Sequence, residues 1–218
     1  MNKLKIEIAL NDVSLPANLN QPNEPAAMVI FSHGSGSSRL SPRNNYVANI
    51  LNQHRISTLL VDLLTPDEDE VYENRFNIDL LTDRLIRVTE KALEQLAFDD
   101  LPLGFFGAST GAASALDAAA FLESTIKAVV SRGGRPDLAK NLGKVKAPTL
   151  LIVGSLDNQV INLNEHAYTQ LSGEKQIEII EGASHLFEEP GTLESVARIA
   201  AEWFDVHLCH TMAEQRTH

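Results

Sequence analysis

The sequence predicts an α/β fold: a mostly parallel central sheet with helices on both faces and no separate lid domain. Three observations carry this. Apolar runs of strand length, such as Ala27 to Ser32, Leu103 to Gly107 and Thr149 to Val153, lack polar alternation and so read as strands buried on both faces. Helical stretches alternate with them, which is the pattern of a parallel sheet wrapped by crossover helices. Several of these runs also lead straight into short loops rich in Gly, Ser, Asp or His, and an open parallel sheet places its chemistry beyond the C-terminal ends of its strands.

The elements follow in order. Lys3 to Leu10 alternates, with Leu4, Ile6, Ile8 and Leu10 on one side, and Val13 to Leu19 is its hairpin partner. After the Ala27–Ser32 strand, Ser41-Pro42 opens a helix whose stripe is Tyr46, Val47, Ile50 and Leu51. Ser57 to Asp62 is a buried strand. Leu63 to Asn77 is an acidic loop, with Asp67–Glu70 expected as a solvated surface. Ile78 to Leu96 carries Leu81, Leu85, Val88, Ala92 and Leu96 on one helical face. Ala112 to Phe121 has almost no polar face and is expected to be a buried helix. Ile126 to Ser131 is a strand, and Arg132 to Asp137 a turn and helix start. Asn158 to Leu171 is a helix, and Lys175 to Glu181 a strand with Ile177 and Ile179 inward. Gly191 to His207 is an amphipathic helix. Residues 1–208 are expected to form a single domain, with a disordered tail over 209–218.

Composition excludes some classes. The chain has 218 residues, 44% of them apolar and 22% charged, ordinary values for a globular protein. A net charge of −11 argues against a nucleic-acid partner or a basic membrane-binding face. The single cysteine, Cys209, allows no intrachain disulfide, which fits a reducing compartment. The N-terminus lacks a signal-peptide core, and no apolar run reaches the ~18 residues of a membrane span. A cytoplasmic location is the expectation.

The chemistry centres on Gly107-Ala108-Ser109-Thr110-Gly111, a G-x-S-x-G elbow between a strand and a helix. A nucleophilic serine must stand on a tight turn at a strand's end, and that turn crowds the residues two before and two after it. Both are glycine here. Serine is a weak nucleophile until a base takes its proton. Of seven histidines, only His33 and His185 lie at the carboxyl end of a strand. His185 is the candidate base, and activity should fall as it protonates; His33 is expected to order its loop. Asp157 follows the Thr149–Val153 strand and is the candidate orienting acid, with Asp62 the alternative. The chain order Ser, Asp, His is that of the hydrolase elbow arrangement. For the oxyanion, Thr110 offers the N–H that follows the nucleophile. Ser35, in His33-Gly34-Ser35-Gly36, offers the second, with Gly36 the alternative.

These motifs, with Ser37-Ser38-Arg39, Ser131-Arg132-Gly133-Gly134-Arg135-Pro136-Asp137 and Gly182-Ala183-Ser184-His185-Leu186-Phe187, resemble the α/β-hydrolase superfamily. More narrowly, the chain looks like its small dienelactone-hydrolase-like branch, over about residues 3 to 207. The resemblance implies the triad Ser109, Asp157 and His185. The dienelactone hydrolases proper use a cysteine nucleophile where this chain has serine, so a general ester is the expected substrate. No metal or organic cofactor is expected.

Only Arg132 to Ala147 separates two strands where relatives of this fold insert a lid, so an open site for small acyl substrates is expected. Arg132 and Arg135 are candidates to hold a substrate carboxylate or phosphate, against a solvated pair making local ion pairs, and Arg39 is a weaker third. The reading is a serine hydrolase of a small carboxylic ester or thioester. An acyltransferase with the same triad and a catalytically silent ligand-binding protein are the alternatives.

Overall fold

The computed structural model describes residues 1–95 and 101–209. Leu96 of the expected 78–96 helix, and the tail beyond Cys209, lie outside the described residues.

Eight strands form one sheet in the order β1-β2-β4-β3-β5-β6-β7-β8. The strands are β1 (Asn2–Ala9), β2 (Ser14–Gln21), β3 (Ala27–Ser32), β4 (Ile56–Val61), β5 (Leu103–Ala108), β6 (Ile126–Arg132), β7 (Thr149–Gly154) and β8 (Lys175–Ile180). The first hairpin is antiparallel and β2 joins β4 antiparallel, while every pairing from β4 to β8 is parallel. The helices are α1 (Pro42–Gln53), α2 (Pro66–Glu70), α3 (Ile78–Gln95), α4 (Thr110–Leu122), α5 (Asn158–Gln170) and α6 (Thr192–Phe204).

The core divides into two layers because the central strands bury both faces. Met28, Ile30, Phe105 and Val129 point toward α3 and α4. Phe31, Phe106, Val130 and Ile152 point toward α1 and α6. All of β3, β4, β5 and β7 is buried, which is why those segments read as unbroken apolar runs. Helix α4 is buried from Thr110 to Ala120 and packs against α3 and β5.

Five expectations shift. In β1 only Ile8 is buried, and Leu4 is 43% exposed although the two share a face: β1 is the sheet's edge, α3 packs on it, and burial fades from Ile8 through Ile6 to Leu4. In α1 the buried stripe is Asn44, Val47, Ala48, Leu51 and Asn52, and Tyr46 faces out. In β8, also an edge, Ile179 is exposed. The stretch after β6 forms two 3-10 turns, Pro136–Leu138 and Leu142–Lys144, rather than an α-helix. The acidic segment is structured as well. Thr65 caps α2 with a full capping box to Glu68, and a 3-10 turn follows at Tyr72–Phe76. Among the described residues, no helix is long and apolar enough to cross a membrane.

Candidate active site

The nucleophile position is built by sterics. Ser109 sits at φ 51° and ψ −123°, a strained conformation for a residue with a side chain. Such strain persists only where neighbours over-determine it, and here they do. A Cβ on Gly107 would lie 2.5 Å from Ala112 Cα, and one on Gly111 would lie 2.2 Å from Ser32 O. Each glycine is therefore required by backbone at close approach. The elbow is held laterally by β6 and the loop beyond it. The Ser109 amide donates to Arg132 O at 3.2 Å, and Ser109 O accepts from the Arg135 amide at 3.0 Å. Beneath it, the hydroxyls of Ser32 and Ser114 lie 2.8 Å apart.

The base and its orienter come from the neighbouring strand ends. His185 Nδ1 donates to Asp157 Oδ2 at 2.6 Å. That bond puts the proton on Nδ1 and leaves Nε2 for the nucleophile. The two loops are stapled together: Leu156 N donates to Ala183 O at 3.0 Å, and Gly182 N to Ser155 Oγ at 2.8 Å. Asp62, the alternative acid, is engaged elsewhere, in an ion pair with Arg39 and a 2.5 Å bond from the Arg39 amide. Arg39 is thereby neutralised and lines a different hollow from Ser109.

The loop after β3 lies directly on the nucleophile. A Cβ on Gly34 would stand 2.9 Å from Ser109 Cβ. Gly36 takes φ +67°, turning the chain so that Ser37 N reaches Gly34 O at 3.1 Å. His33 braces this loop through Nδ1 to Gly34 O at 3.0 Å, while its Nε2 accepts from the Leu63 amide at 3.4 Å. The Ser35 amide donates to Thr110 Oγ1 at 2.9 Å, so the two residues expected to supply oxyanion donors are in direct contact. Thr110 opens α4, where first-turn amides have no intrahelical acceptor.

A cavity of about 660 Å³ joins these parts, with Ser35, Gly36, Ser109, Arg132 and His185 all in its wall. Arg135 is not in that wall. Its guanidinium forks onto Asp137 with two bonds of 2.8 Å, which raises its pKa. Arg132 differs. It is only 7% exposed, and neither Nε nor Nη1 has a hydrogen-bond partner. Burial, and secondarily the charge of Arg43, lower its pKa to about 10.

Arg43, Arg75 and Asp69 also line the cavity, and the sequence reading did not single them out for this role. Arg75 is forked onto Asp69 by two bonds of 2.9 Å, and Arg43 pairs with Glu188 at 2.9 Å. The T-x-x-E spacing of Thr65 and Glu68 is the sequence signal that would have turned the acidic segment into a structured wall.

No protein-family model matches the chain. Among solved structures, it is similar to a dienelactone hydrolase from Anabaena variabilis, with 50% identity, a TM-score of 0.92, and 95% of this chain and 98% of that one covered. It also resembles in fold an α/β serine hydrolase without a lid from Xanthomonas campestris, at 19% identity and TM-score 0.76, covering 94% and 95% of the two chains. Among curated proteins, it is 51% identical over 206 residues to a provisionally named phosphoribosyl transferase found in two strains of Mycobacterium tuberculosis. That alignment covers 94% of this chain and 46% of the relative, so the chain spans about half the length of the curated relatives it matches.

Proposed function

Since the chain belongs to the dienelactone hydrolase family of α/β-hydrolase-fold enzymes, we propose that it is a serine hydrolase cleaving a small carboxylic ester or thioester through an acyl-enzyme. The observation that carries this is the 2.6 Å His185–Asp157 bond at the mouth of the cavity that the strained Ser109 enters.

Each residue has a role in that reading. Ser109 Oγ attacks the carbonyl carbon as His185 Nε2 takes its proton. No hydrogen bond joins Ser109 Oγ to His185 in the free enzyme, and such contacts commonly tighten only around substrate. Asp157 fixes the tautomer and stabilises the imidazolium. The amides of Thr110 and Ser35 receive the oxyanion. His185 then protonates the leaving alcohol or thiol and activates the water that frees the acid. The polar, uncovered cavity favours small soluble acyl substrates over lipid.

The transferase name of the mycobacterial relatives belongs to proteins about twice this length. The stretch in hand has its strand ends occupied by the Ser, Asp and His loops, and hydrolysis is the chemistry we assign to it.

The test is intact-protein mass spectrometry after fluorophosphonate treatment of wild type and Ser109→Ala. One adduct on the wild type, absent from the variant, is expected. A folded wild type that takes no adduct would refute the activated serine. An ester and thioester panel, with alcohol and amine acceptors added, then separates hydrolysis from acyl transfer.

A further inference from the structure

The cavity beside Ser109 holds more positive charge than its own carboxylates neutralise. Arg132 has no carboxylate partner among the described residues; its Nε and Nη1 are sealed from solvent without an acceptor, and the residue keeps 7% exposure in the cavity wall. A buried guanidinium with no counter-charge is costly, because burial penalises the charge. An anion in the cavity would supply the missing counter-charge.

The surroundings indicate which acceptor. Arg43 stands in the same wall and lowers the Arg132 pKa by like-charge repulsion, and its own Nε is also buried without a partner among the described residues. Its Nη1 is held by Glu188, whose side chain is 62% exposed. Asp69, the carboxylate in the wall, is already forked onto Arg75, and Asp157, outside it, is taken by His185. Helix α1 also opens onto the cavity at Ser41 and Pro42, with no acidic residue in its first turn. That end is already capped, since Pro42 has no amide hydrogen and the Asn44 amide donates to Ser41 Oγ, so what it brings to the cavity is the Arg43 side chain. The hydroxyls of Ser37 and Ser38 stand in the same wall. One carboxylate has two oxygens and one negative charge. This set offers the Arg132 and Arg43 guanidiniums and the hydroxyls of Ser37 and Ser38, more donors than one carboxylate can use, which suits the three free oxygens of a phosphate monoester.

We propose that the ester cleaved at Ser109 carries a phosphate monoester group, and that Arg132 and Arg43 hold it at the N-terminus of α1. The inference rests on the serine-hydrolase reading for its reaction, but not for the binding site itself. Arg132 links the two parts: its backbone carbonyl holds the Ser109 amide, and the residue stands in the wall of the cavity that Ser109 also lines. The phosphate would therefore sit on the group next to the scissile bond.

Two experiments test this. Calorimetric titration of Ser109→Ala with inorganic phosphate and, separately, with acetate needs no turnover. Saturable phosphate binding, at least tenfold tighter than acetate and weakened at least tenfold by adding Arg132→Gln, is expected. No saturable phosphate binding, or equal affinity for acetate, overturns the proposal. The second compares kcat/KM for 1-acetylglycerol, 1-acetylglycerol 3-phosphate and 3-acetoxypropionate. The phosphate ester should exceed both others at least tenfold in the wild type, and Arg132→Gln should collapse that ratio. A wild type that hydrolyses all three alike overturns the proposal while leaving the hydrolase intact. Absence of the fluorophosphonate adduct with phosphate binding retained sinks the hydrolase and keeps the site. Should Arg132→Gln fail to fold, Arg43→Gln serves as the second variant, with a severalfold loss of phosphate affinity expected; affinity unchanged in it would count against the site.

Discussion

Ser35 and Thr110 hold each other in the free enzyme: the Ser35 amide donates to the Thr110 hydroxyl at 2.9 Å, across the end of β5 and directly over the nucleophile. In the proposed mechanism the amides of these two residues receive the oxyanion, and the Thr110 hydroxyl would hold the Ser35 amide in place until substrate arrives. Thr110→Val should lower kcat for p-nitrophenyl acetate about tenfold with little change in KM, below the ~10²–10³ that loss of a donor itself costs. Thr110→Ser should restore the rate. A faster Thr110→Val enzyme would mean that the hydroxyl obstructs the hole instead of aiming it.

Asp157→Asn keeps the shape of the side chain but offers His185 no charge and invites the wrong tautomer. A loss of about 10⁴ in kcat is expected, on the scale of triad acids elsewhere. Steady-state kinetics on p-nitrophenyl acetate decide it. A loss below tenfold would hand the orienting role to another residue.

In the proposed anion site, the Arg132 guanidinium, lowered to about 10 by burial and Arg43, would set the upper pH limit of phosphate binding. It is positive below that pH and neutral above it. Phosphate affinity, measured calorimetrically on Ser109→Ala, should be level between pH 8 and about 9 and fall as pH rises through about 10. Affinity that is level to pH 11 would place the binding charge elsewhere.

Gly111→Ala should prevent correct folding or remove at least about 3 kcal/mol of stability, beyond the usual cost of overpacking, because the clash is with backbone. The new methyl would meet Ser32 O at 2.2 Å and His33 O at 2.6 Å. Urea denaturation gives the number, and a stability within 1 kcal/mol of wild type would contradict the close approach.

Cys209 is pushed up to about 11 by burial and by the charge of Asp205. At pH 8 only about one thiol in 10³ is then thiolate, the reactive form. Native protein should resist iodoacetamide while urea-unfolded protein is alkylated at once, as read by mass. Rapid alkylation of the native state would show the thiol to be open.

What could be read from sequence followed from burial. The strands β3, β4, β5 and β7 are covered on both faces, so their apolar runs are continuous and their ends are legible. The chemistry-bearing loops begin where those runs stop. Edges were less legible. The alternation of β1 marks a strand, but alternation does not say whether anything covers the apolar side, and Leu4 is left exposed. Partner choice was illegible for a different reason. Arg132 and Arg135 look alike in sequence, yet Asp137 lies two residues from Arg135 and neutralises it, while no acid among the described residues pairs with Arg132. Asp62 and Asp157 both follow strands, and only the folded chain brings Arg39 to Asp62. Arg43 and Arg75 belong to segments far in sequence from Ser109, and their place in the cavity wall depends on how α1 and the segment after β4 lie over the sheet.

Both backbone groups of Ser109 are tied sideways, its amide to Arg132 and its carbonyl to Arg135. The connection from β6 to β7 is therefore two things in series. Its first few residues are part of the nucleophile's mounting, and the stretch beyond Asp137, with its short 3-10 turns, is free of that duty. Insertions at Gly133 or Gly134 would therefore unseat the serine. The later part of the connection is no freer: β6 and β7 run parallel, so it travels to the opposite end of the sheet from Ser109, and there Leu142, Val145 and Ala147 are buried. The connection is thus pinned at both ends, by the nucleophile at one and by the core at the other.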